Sequence, residues 1–178
     1  FLEHSIDTRQ LPELAATLHA GDRVLLSGTV YTARDAAHKR IAAALRGDGP
    51  LPFEIRGATI YYAGPTPAPD GLPIGSCGPT TSGRMDPYAP ALLDLGLAAM
   101  VGKGQRSPAV CDAIRRNGSV YFCAVGGAGA LACKCIRSCE VVAYEDLGCE
   151  SVKRLVFADF PLVVAIDCHG GNLFERQL

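Results

Sequence analysis

The middle of this sequence alternates strand-like apolar runs with helix-type patterns, and this alternation restricts the fold more than any other feature. Strands predominate towards the end. The strand-like runs cover Val24 to Thr32, Thr59 to Ala63, Leu97 to Val101, Val120 to Val125, Val141 to Tyr144, Ser151 to Phe157 and Leu162 to Asp167. The last two flank Asp159-Phe160-Pro161 and are expected to pair as a hairpin. The pattern predicts an α/β domain with a mixed sheet.

Local capping residues predict where the helices begin and end. Thr32 is expected to cap the helix after the first long strand, and Asp35, three residues later, would complete a capping box. Ser107 and Pro108 suit the Ncap and N1 positions of a later helix. That helix is expected to end at Asn117-Gly118, because glycine commonly follows the last helical residue.

Length and charge limit the classes of protein to consider. A chain of 178 residues predicts one domain over 1–178, with enough residues to bury a core. A net charge of -1 gives no reason to expect a nucleic acid or an anionic membrane as partner. No apolar run is long enough to span a bilayer, and Phe1 to Thr8 lacks a secretory pattern. These features favour a cytoplasmic location.

Eight cysteines raise the question of metal or redox chemistry. Several lie in apolar segments, where a thiol behaves as a small apolar group. Cys133, Cys135 and Cys139 form a Cys-x-Cys-x-x-x-Cys cluster, which does not match the common zinc or iron–sulfur spacings. We therefore predict no metal ligands on this chain. A small cysteine-based metal or redox module stays open as an alternative.

The segment Gly78–Asp86, called the signature run below, reads Gly-Pro-Thr-Thr-Ser-Gly-Arg-Met-Asp. It is expected to place Thr80, Thr81 and Arg84 at the start of a helix that continues to Gly96. Unpaired N–H groups and the helix dipole favour anions there, and an arginine can grip a carboxylate with two parallel hydrogen bonds. The run therefore suggests a small anionic substrate, although its hydroxyls could serve only as helix caps.

Further candidate residues follow other predicted strands. Arg34 comes directly after the first long strand, and ligands of α/β sheets gather at such strand ends. Asp35 and His38 lie within two helical turns of it, although Asp35 could serve only as a cap. Lys103 follows the strand that ends at Val101 and could equally occupy an exposed turn. Arg34, Asp35 and His38 are therefore candidates for the same site as the signature run.

Two glycine-rich segments do not predict a nucleotide site. Gly102-Lys103-Gly104 lacks the first glycine of a P-loop, and glycine rather than Ser or Thr follows its lysine. Gly126-Gly127-Ala128-Gly129 is only a weak anion nest and lacks the full dinucleotide-binding pattern. Close backbone packing, or lining of the substrate pocket, is the better interpretation of the second segment.

The signature run, the segment Gly28 to His38 and Gly102-Lys103-Gly104 together carry a family resemblance. In order, from about Val24 to Phe174, the chain resembles the beta subunit, or C-terminal domain, of iron–sulfur (class I) fumarases and the related L(+)-tartrate dehydratases. The resemblance implies a layered β/β/α swivelling domain. It also implies substrate contacts from Arg34, Thr80, Thr81, Arg84 and Lys103, with catalytic parts for Thr80, Lys103 and Arg84.

The same resemblance implies a hydro-lyase of the tricarboxylic acid cycle that converts fumarate to L-malate reversibly. A partner alpha subunit would hold the 4Fe-4S cluster through three cysteines and complete a hetero-oligomer, so this chain alone is expected to be inactive. Gly83 and the Ala36-Ala37 pair favour a fumarase, whereas the segment Ile166 to Asn172 is more similar to the tartrate branch. A noncatalytic subunit that only binds a dicarboxylate stays open.

Overall fold

A computed structural model describes residues 3–125 and 134–175 of the chain. The strands of the described part are β1 (Glu3–Asp7), β2 (Arg23–Thr32), β3 (Thr59–Tyr61), β4 (Ala99–Gly102), β5 (Val120–Ala124), β6 (Ile136–Ala143) and β7 (Val152–Ile166). The α-helices are α1 (Leu11–Leu14), α2 (Asp35–Leu45), α3 (Ala89–Asp94) and α4 (Pro108–Asn117). Gly126 to Gly129 and Cys133 lie outside the described residues.

Five of these strands close into a ring. Neighbours β2, β3, β4 and β5 run parallel, and β7 runs antiparallel to both β5 and β2, so it joins the two ends. Strand β1 pairs with the first half of β2, and β6 pairs with the first half of β7. The predicted α/β fold with a mixed sheet is confirmed, since parallel and antiparallel pairs occur in one sheet.

The predicted hairpin is wrong, because the two segments belong to the single strand β7. Val152–Ile166 is one strand of 15 residues, and both of its halves pair with β2. Asp159 stands between those halves with a φ of 49°, a conformation that aspartate tolerates better than most side chains. The chain therefore bends at Asp159 without reversing, because the long strand β2 offers backbone partners on both sides of the bend.

Two hydrophobic cores lie on opposite faces of the strands. Side chains inside the ring, such as Leu26, Tyr61 and Phe157, form one core. Side chains on the outer face, such as Ile60, pack with Ile41 of α2 and with residues of α3 and α4 to form the other. The domain thus has three layers. Opposite walls of the ring form two β layers, and the helices that cover the outer face form one α layer.

The capping predictions succeed for α4 and fail for α2. Helix α4 begins after Ser107, whose side chain accepts a hydrogen bond from Val110 N, and Gly118 follows its end in the left-handed conformation. Helix α2 instead has Arg34 at its Ncap, without a side-chain cap. Thr32 does not cap, because its hydroxyl bonds the backbone of Ser151 and of Lys153 in β7.

The signature run is likewise not the start of a long helix. Its second half forms a single 3-10 turn, Ser82–Met85, and α3 begins only at Ala89. Thr81 is the Ncap of that turn, but its side chain makes no capping hydrogen bond. The predicted helix-dipole contribution to anion binding is therefore wrong, and any anion held there depends on side chains and on loop N–H groups.

Candidate functional site

The residues proposed from sequence gather where parallel strands end. Arg34 follows β2 after one intervening residue, and Lys103 directly follows β4. Thr80 N donates to the carbonyl of Tyr62, the first residue after β3, at 2.7 Å. Because β2, β3 and β4 are parallel neighbours, their carboxyl ends share one edge of the ring. We call this edge the rim.

The signature run is fastened to the segment after β4 by backbone hydrogen bonds. Thr81 and Lys103 form an isolated parallel bridge. Ser82 N donates to the Lys103 carbonyl at 2.8 Å, and Lys103 N donates to Ser82 Oγ at 2.9 Å. The position of Lys103 relative to Thr81 is therefore set by the backbone. The hydroxyl of Ser82, which is fully buried, serves this purpose and is not available to a ligand.

Arg84 connects the signature run to α2. Its Nη2 donates to Thr80 Oγ1 at 2.7 Å, and its Nη1 lies 3.8 Å from Asp35 Oδ2. The Arg84 side chain is 51% exposed, so its guanidinium retains a solvent-facing side. Arg34 directly precedes Asp35 in sequence, so the backbone of Arg34 adjoins the residue that Arg84 contacts.

A buried arginine supports this face from below. Arg106 Nε donates to Asp86 Oδ1 at 2.6 Å, and its Nη2 donates to Tyr62 Oη at 3.1 Å. Its guanidinium also lies over the rings of Tyr62 and Tyr121, 5.1 and 4.8 Å from their centroids. The second oxygen of Asp86 accepts from Ser107 N at 2.8 Å. An ion pair taken out of water persists only with such complete partners.

Tyr121 links this support to the rim. Its hydroxyl lies 2.7 Å from both Ser82 Oγ and the carbonyl oxygen of Gly104. Burial raises the pKa of Tyr121, so the hydroxyl stays protonated and can donate to that carbonyl. Gly102 completes the arrangement, since a Cβ there would lie 2.0 Å from Ser82 Oγ. Arg106 and Tyr121 were not predicted from the sequence, whereas Asp86 and Gly102 belong to motifs that were.

The surroundings of Arg34 are less saturated. Its Nε is buried and has no hydrogen-bond partner among the described residues. A carboxylate oxygen of Glu150 lies 3.9 Å away, within ion-pair reach but beyond hydrogen-bond distance. One oxygen of Asp35, Oδ1, is also buried without a partner in the described part of the chain. Glu150 was not predicted, because it enters the site from the segment before β7.

His38 lies on the buried face of α2 and does not face solvent. It is 1% exposed, its Nδ1 lies 2.9 Å from the Arg34 carbonyl oxygen, and its ring contacts Tyr62 and Tyr88. Burial lowers the pKa of His38 to about 4, against a smaller raising effect of the bond to Arg34. It is therefore neutral at pH 7, and the carbonyl requires the ring proton on Nδ1. His38 can support the backbone of Arg34 but cannot touch a ligand.

The resulting surface can hold a small anion with more than one negative group. Arg34, Arg84 and Lys103 supply positive charge, and Thr80 and Thr81 supply hydroxyls beside it. A cleft of about 460 Å³ adjoins Lys103 and Pro79 of the signature run. Its walls are mostly apolar and include Val163 and Phe174. Arg84 and Lys103 are exposed and Arg34 is partly exposed, so a ligand held by them is accessible to a second chain.

The cysteines do not assemble a metal site in the described part of the chain. No group of three or more His, Cys, Asp or Glu side chains within residues 3–125 and 134–175 is placed to hold a metal ion. Cys135 and Cys139 are partly exposed thiols near and on β6, and Cys133 is outside the described residues. Within the same ranges, no helix has the length and apolar character needed to cross a membrane.

A family model and several curated relatives match nearly the whole chain. The family model described as "Fumarase C-terminus" matches residues 3–177. Over 173 residues the chain is 39% identical to "Fumarate hydratase 1, mitochondrial" of Leishmania major and 38% identical to "Fumarate hydratase class I, anaerobic" of Escherichia coli (strain K12). Each match covers 94% of this chain but 32% of the relative. The chain thus spans about a third of the length of these relatives.

A shorter relative is matched over most of both chains. It is the protein named "Putative L(+)-tartrate dehydratase subunit beta" of Methanocaldococcus jannaschii. Identity is 37% over 165 residues, which cover 89% of this chain and 85% of the relative. Proteins named for two different substrates are therefore similar to this chain at nearly the same level of identity.

Proposed function

This chain belongs to the fumarase C-terminus family, and from that premise we propose that it is the substrate-clamping, beta-type half of a hydro-lyase. It acts as one domain over 1–178 on a four-carbon dicarboxylate, with reversible hydration of fumarate to L-malate as the reaction we favour. The observation that carries this proposal is the convergence of Arg34, Arg84 and Lys103 at one rim.

The two arginines receive the two carboxylates of the substrate. Each has a carboxylate of this chain at ion-pair distance, Asp35 for Arg84 and Glu150 for Arg34, but neither pair is hydrogen-bonded. Both guanidinium groups therefore keep donors for a ligand, and their planar fork matches a carboxylate. Lys103 stands beside them as a point charge. It stabilises negative charge that develops on a carboxylate when a proton leaves the adjacent carbon.

Thr80 is the group we propose for proton transfer, with Thr81 as a second substrate contact. Thr80 Oγ1 accepts a hydrogen bond from the Arg84 guanidinium. A cationic donor favours the ionised form of an oxygen, so this contact makes the hydroxyl more acidic than an isolated threonine. Its own proton points away from Arg84 and is free to exchange with a substrate on the open face.

We assign the 4Fe-4S cluster to a partner alpha subunit. The described cysteines do not group as metal ligands, and the positively charged face is open to a second chain. The relative named as a subunit beta supports such a division. We further propose a reducing compartment such as the cytoplasm, because the thiols of Cys111, Cys149 and Cys168 are free.

Tartrate is the second substrate to consider. The relative that matches this chain over 85% of its own length is the one named for tartrate, whereas the fumarate hydratases are matched over about a third. Both substrates carry two carboxylates, so the same arginine pair serves either. Comparing fumarate hydration with tartrate dehydration by the assembled enzyme decides between them.

The test of the proposal is Arg84→Lys in the enzyme assembled with its alpha partner. Lysine keeps the charge but loses the fork and the bond to Thr80, so we expect kcat/KM to fall about a hundredfold. Arg116→Lys, on an exposed face of α4, is the matched control and retains full turnover. If Arg84→Lys also retains most turnover, this chain is a noncatalytic subunit. Stoichiometric iron or zinc on this chain without its partner would instead indicate a metal module.

A further inference from the structure

The side chain of Arg34 lies in a narrow space beside Gly64. A Cβ placed on Gly64 would lie 2.9 Å from Arg34 Cδ and 3.1 Å from its Nη1. The same Cβ would lie 3.0 Å from the carbonyl oxygen of Cys149. While Arg34 keeps its present conformation, position 64 therefore has room for no residue larger than glycine.

The opposite wall of this space is fixed by a buried lysine. Lys153 Nζ donates to the carbonyls of Gly148 and Cys149 at 3.3 and 3.1 Å, and to Ser151 Oγ at 2.8 Å. These bonds hold the backbone on both sides of Glu150. A backbone carbonyl tied to an ammonium group cannot withdraw easily, so a side chain at position 64 would displace Arg34 instead.

Glu150 closes the space along the edge of the guanidinium. Its Oε1 accepts from Ala36 N at 3.3 Å and lies 3.9 Å from the buried Nε of Arg34. Opposite charge draws this edge of Arg34 towards Glu150. The Arg34 side chain as a whole is 29% exposed, so the outer part of its guanidinium is left to reach a ligand.

We propose that Gly64 and Glu150 are positioning residues that hold Arg34 in the conformation in which it binds the second carboxylate of the substrate. The inference rests on the proposed function, since it takes Arg34 as a carboxylate ligand. An arginine has many rotamers, and confining it before binding removes part of the entropy cost of forming a two-carboxylate contact. Selection of dicarboxylates over monocarboxylates thereby depends on residues that do not touch the ligand.

The first test compares succinate with butyrate, which lacks the second carboxylate, by titration calorimetry on the assembled enzyme. For Gly64→Ala we expect succinate to bind about tenfold more weakly, as for the loss of a charge-assisted hydrogen bond, with butyrate affinity unchanged. Ala68→Ser, which adds one heavy atom at an exposed position of the same loop, keeps the wild-type ratio. Equal loss for both ligands, or no loss, overturns the inference.

A double-mutant cycle shows whether Gly64 acts through Arg34. In an Arg34→Met background, Gly64→Ala is expected to change succinate affinity less than about twofold, because the group it displaces is gone. An undiminished effect in that background would mean that Gly64 acts by another route. The wild type separates the two proposals: if it does not prefer succinate to butyrate, the proposed function fails. If it does and Gly64→Ala keeps the wild-type ratio of the two affinities, only the inference fails.

Glu150→Gln keeps the inference testable should Gly64→Ala not fold. Glutamine preserves the shape and the acceptor for Ala36 N but removes the charge beside Arg34. Proton exchange at Arg34 Nε, followed in an isotope-labelled sample of the assembled enzyme, is slow in the wild type because that atom is buried. We expect Glu150→Gln to accelerate it at least about threefold. The exposed neighbour Glu145→Gln does not, and unchanged exchange in Glu150→Gln would refute the positioning role.

Discussion

The two sides of the rim are held in different ways. On the signature side, Arg106, Asp86 and Tyr121 form a buried network with hydrogen bonds of 2.6 to 3.1 Å. On the Arg34 side, the ion pair of Arg34 with Glu150 measures 3.9 Å, and the pair of Asp35 with Arg84 of the signature run measures 3.8 Å. Three buried polar atoms there, Arg34 Nε, Asp35 Oδ1 and His38 Nε2, have no hydrogen-bond partner among the described residues.

This difference indicates that the two sides have different roles in ligand binding. The buried network beneath the signature side is complete without a ligand, so the position of Lys103 relative to Thr80 and Thr81 is built into the folded chain. On the Arg34 side, the exposed part of the Arg34 guanidinium keeps hydrogen-bonding capacity that a ligand or a partner chain can take up. A network that is fully satisfied resists change, whereas a partly satisfied one gains most from a new partner.

The largest effect that would support this contrast is expected from Asp86→Asn. The change leaves the Arg106 guanidinium, which is fully buried, with a neutral partner, and we expect a loss of about 3 kcal/mol in the free energy of unfolding. Asp94→Asn breaks an ion pair to Arg116 on the surface and is the matched control, with no measurable change. Urea unfolding measures both. A similar, small effect for both variants would show that the signature side is no more tightly held than the surface.

The second prediction concerns pH and His38. The folded-state pKa of about 4 lies below the ordinary value of 6.5, so the unfolded chain takes up the proton first. The stability tied to His38 is complete above pH 6.5 and is lost as the pH falls towards 4, by about 3 kcal/mol in total. Nearby Arg106 lowers this pKa and Asp35 raises it, both less than burial does. The unfolding free energy of the wild type minus that of His38→Phe, measured from pH 7 to 4, should therefore fall steadily. A constant difference would mean that His38 is not buried neutral.

The smallest effects are expected from two variants that each remove one contact, one on either side of the rim. Tyr121→Phe removes a hydroxyl that bonds Ser82 and Gly104, and we expect it to cost about 1 kcal/mol. Asp35→Asn removes a half-exposed charge at 3.8 Å from Arg84 and should cost less than about 0.5 kcal/mol. Thermal unfolding ranks the two. The reverse order would contradict the division between a saturated and an unsaturated side.

The sequence predicted what local chemistry decides. The bounds of α4 follow from Ser107, Pro108 and Gly118, each of which acts on its own few neighbours. Arg34 was placed at the site because it follows a buried strand, whereas Lys103 was placed there by the family resemblance.

What the sequence could not predict depends on distant partners. Thr32 has the local features of a cap, but a contact to Lys153, 121 residues away, takes its hydroxyl. The bend at Asp159 was interpreted as a turn, because the continuous pairing with β2 is not visible from the residues alone. Arg106 and Glu150 were missed for the same reason, since their partners come from other segments.

The ring of five strands has a consequence for how this domain can diverge. In a closed ring the separation of strand ends follows from the number of strands and their stagger, not from the connections between them. The long connection between β3 and the signature run, apart from Gly64, can therefore gain, lose or exchange residues while Arg34 and Lys103 keep their spacing. The closed ring fixes the distance between the two positive groups, and the remaining loop residues are the parts open to replacement.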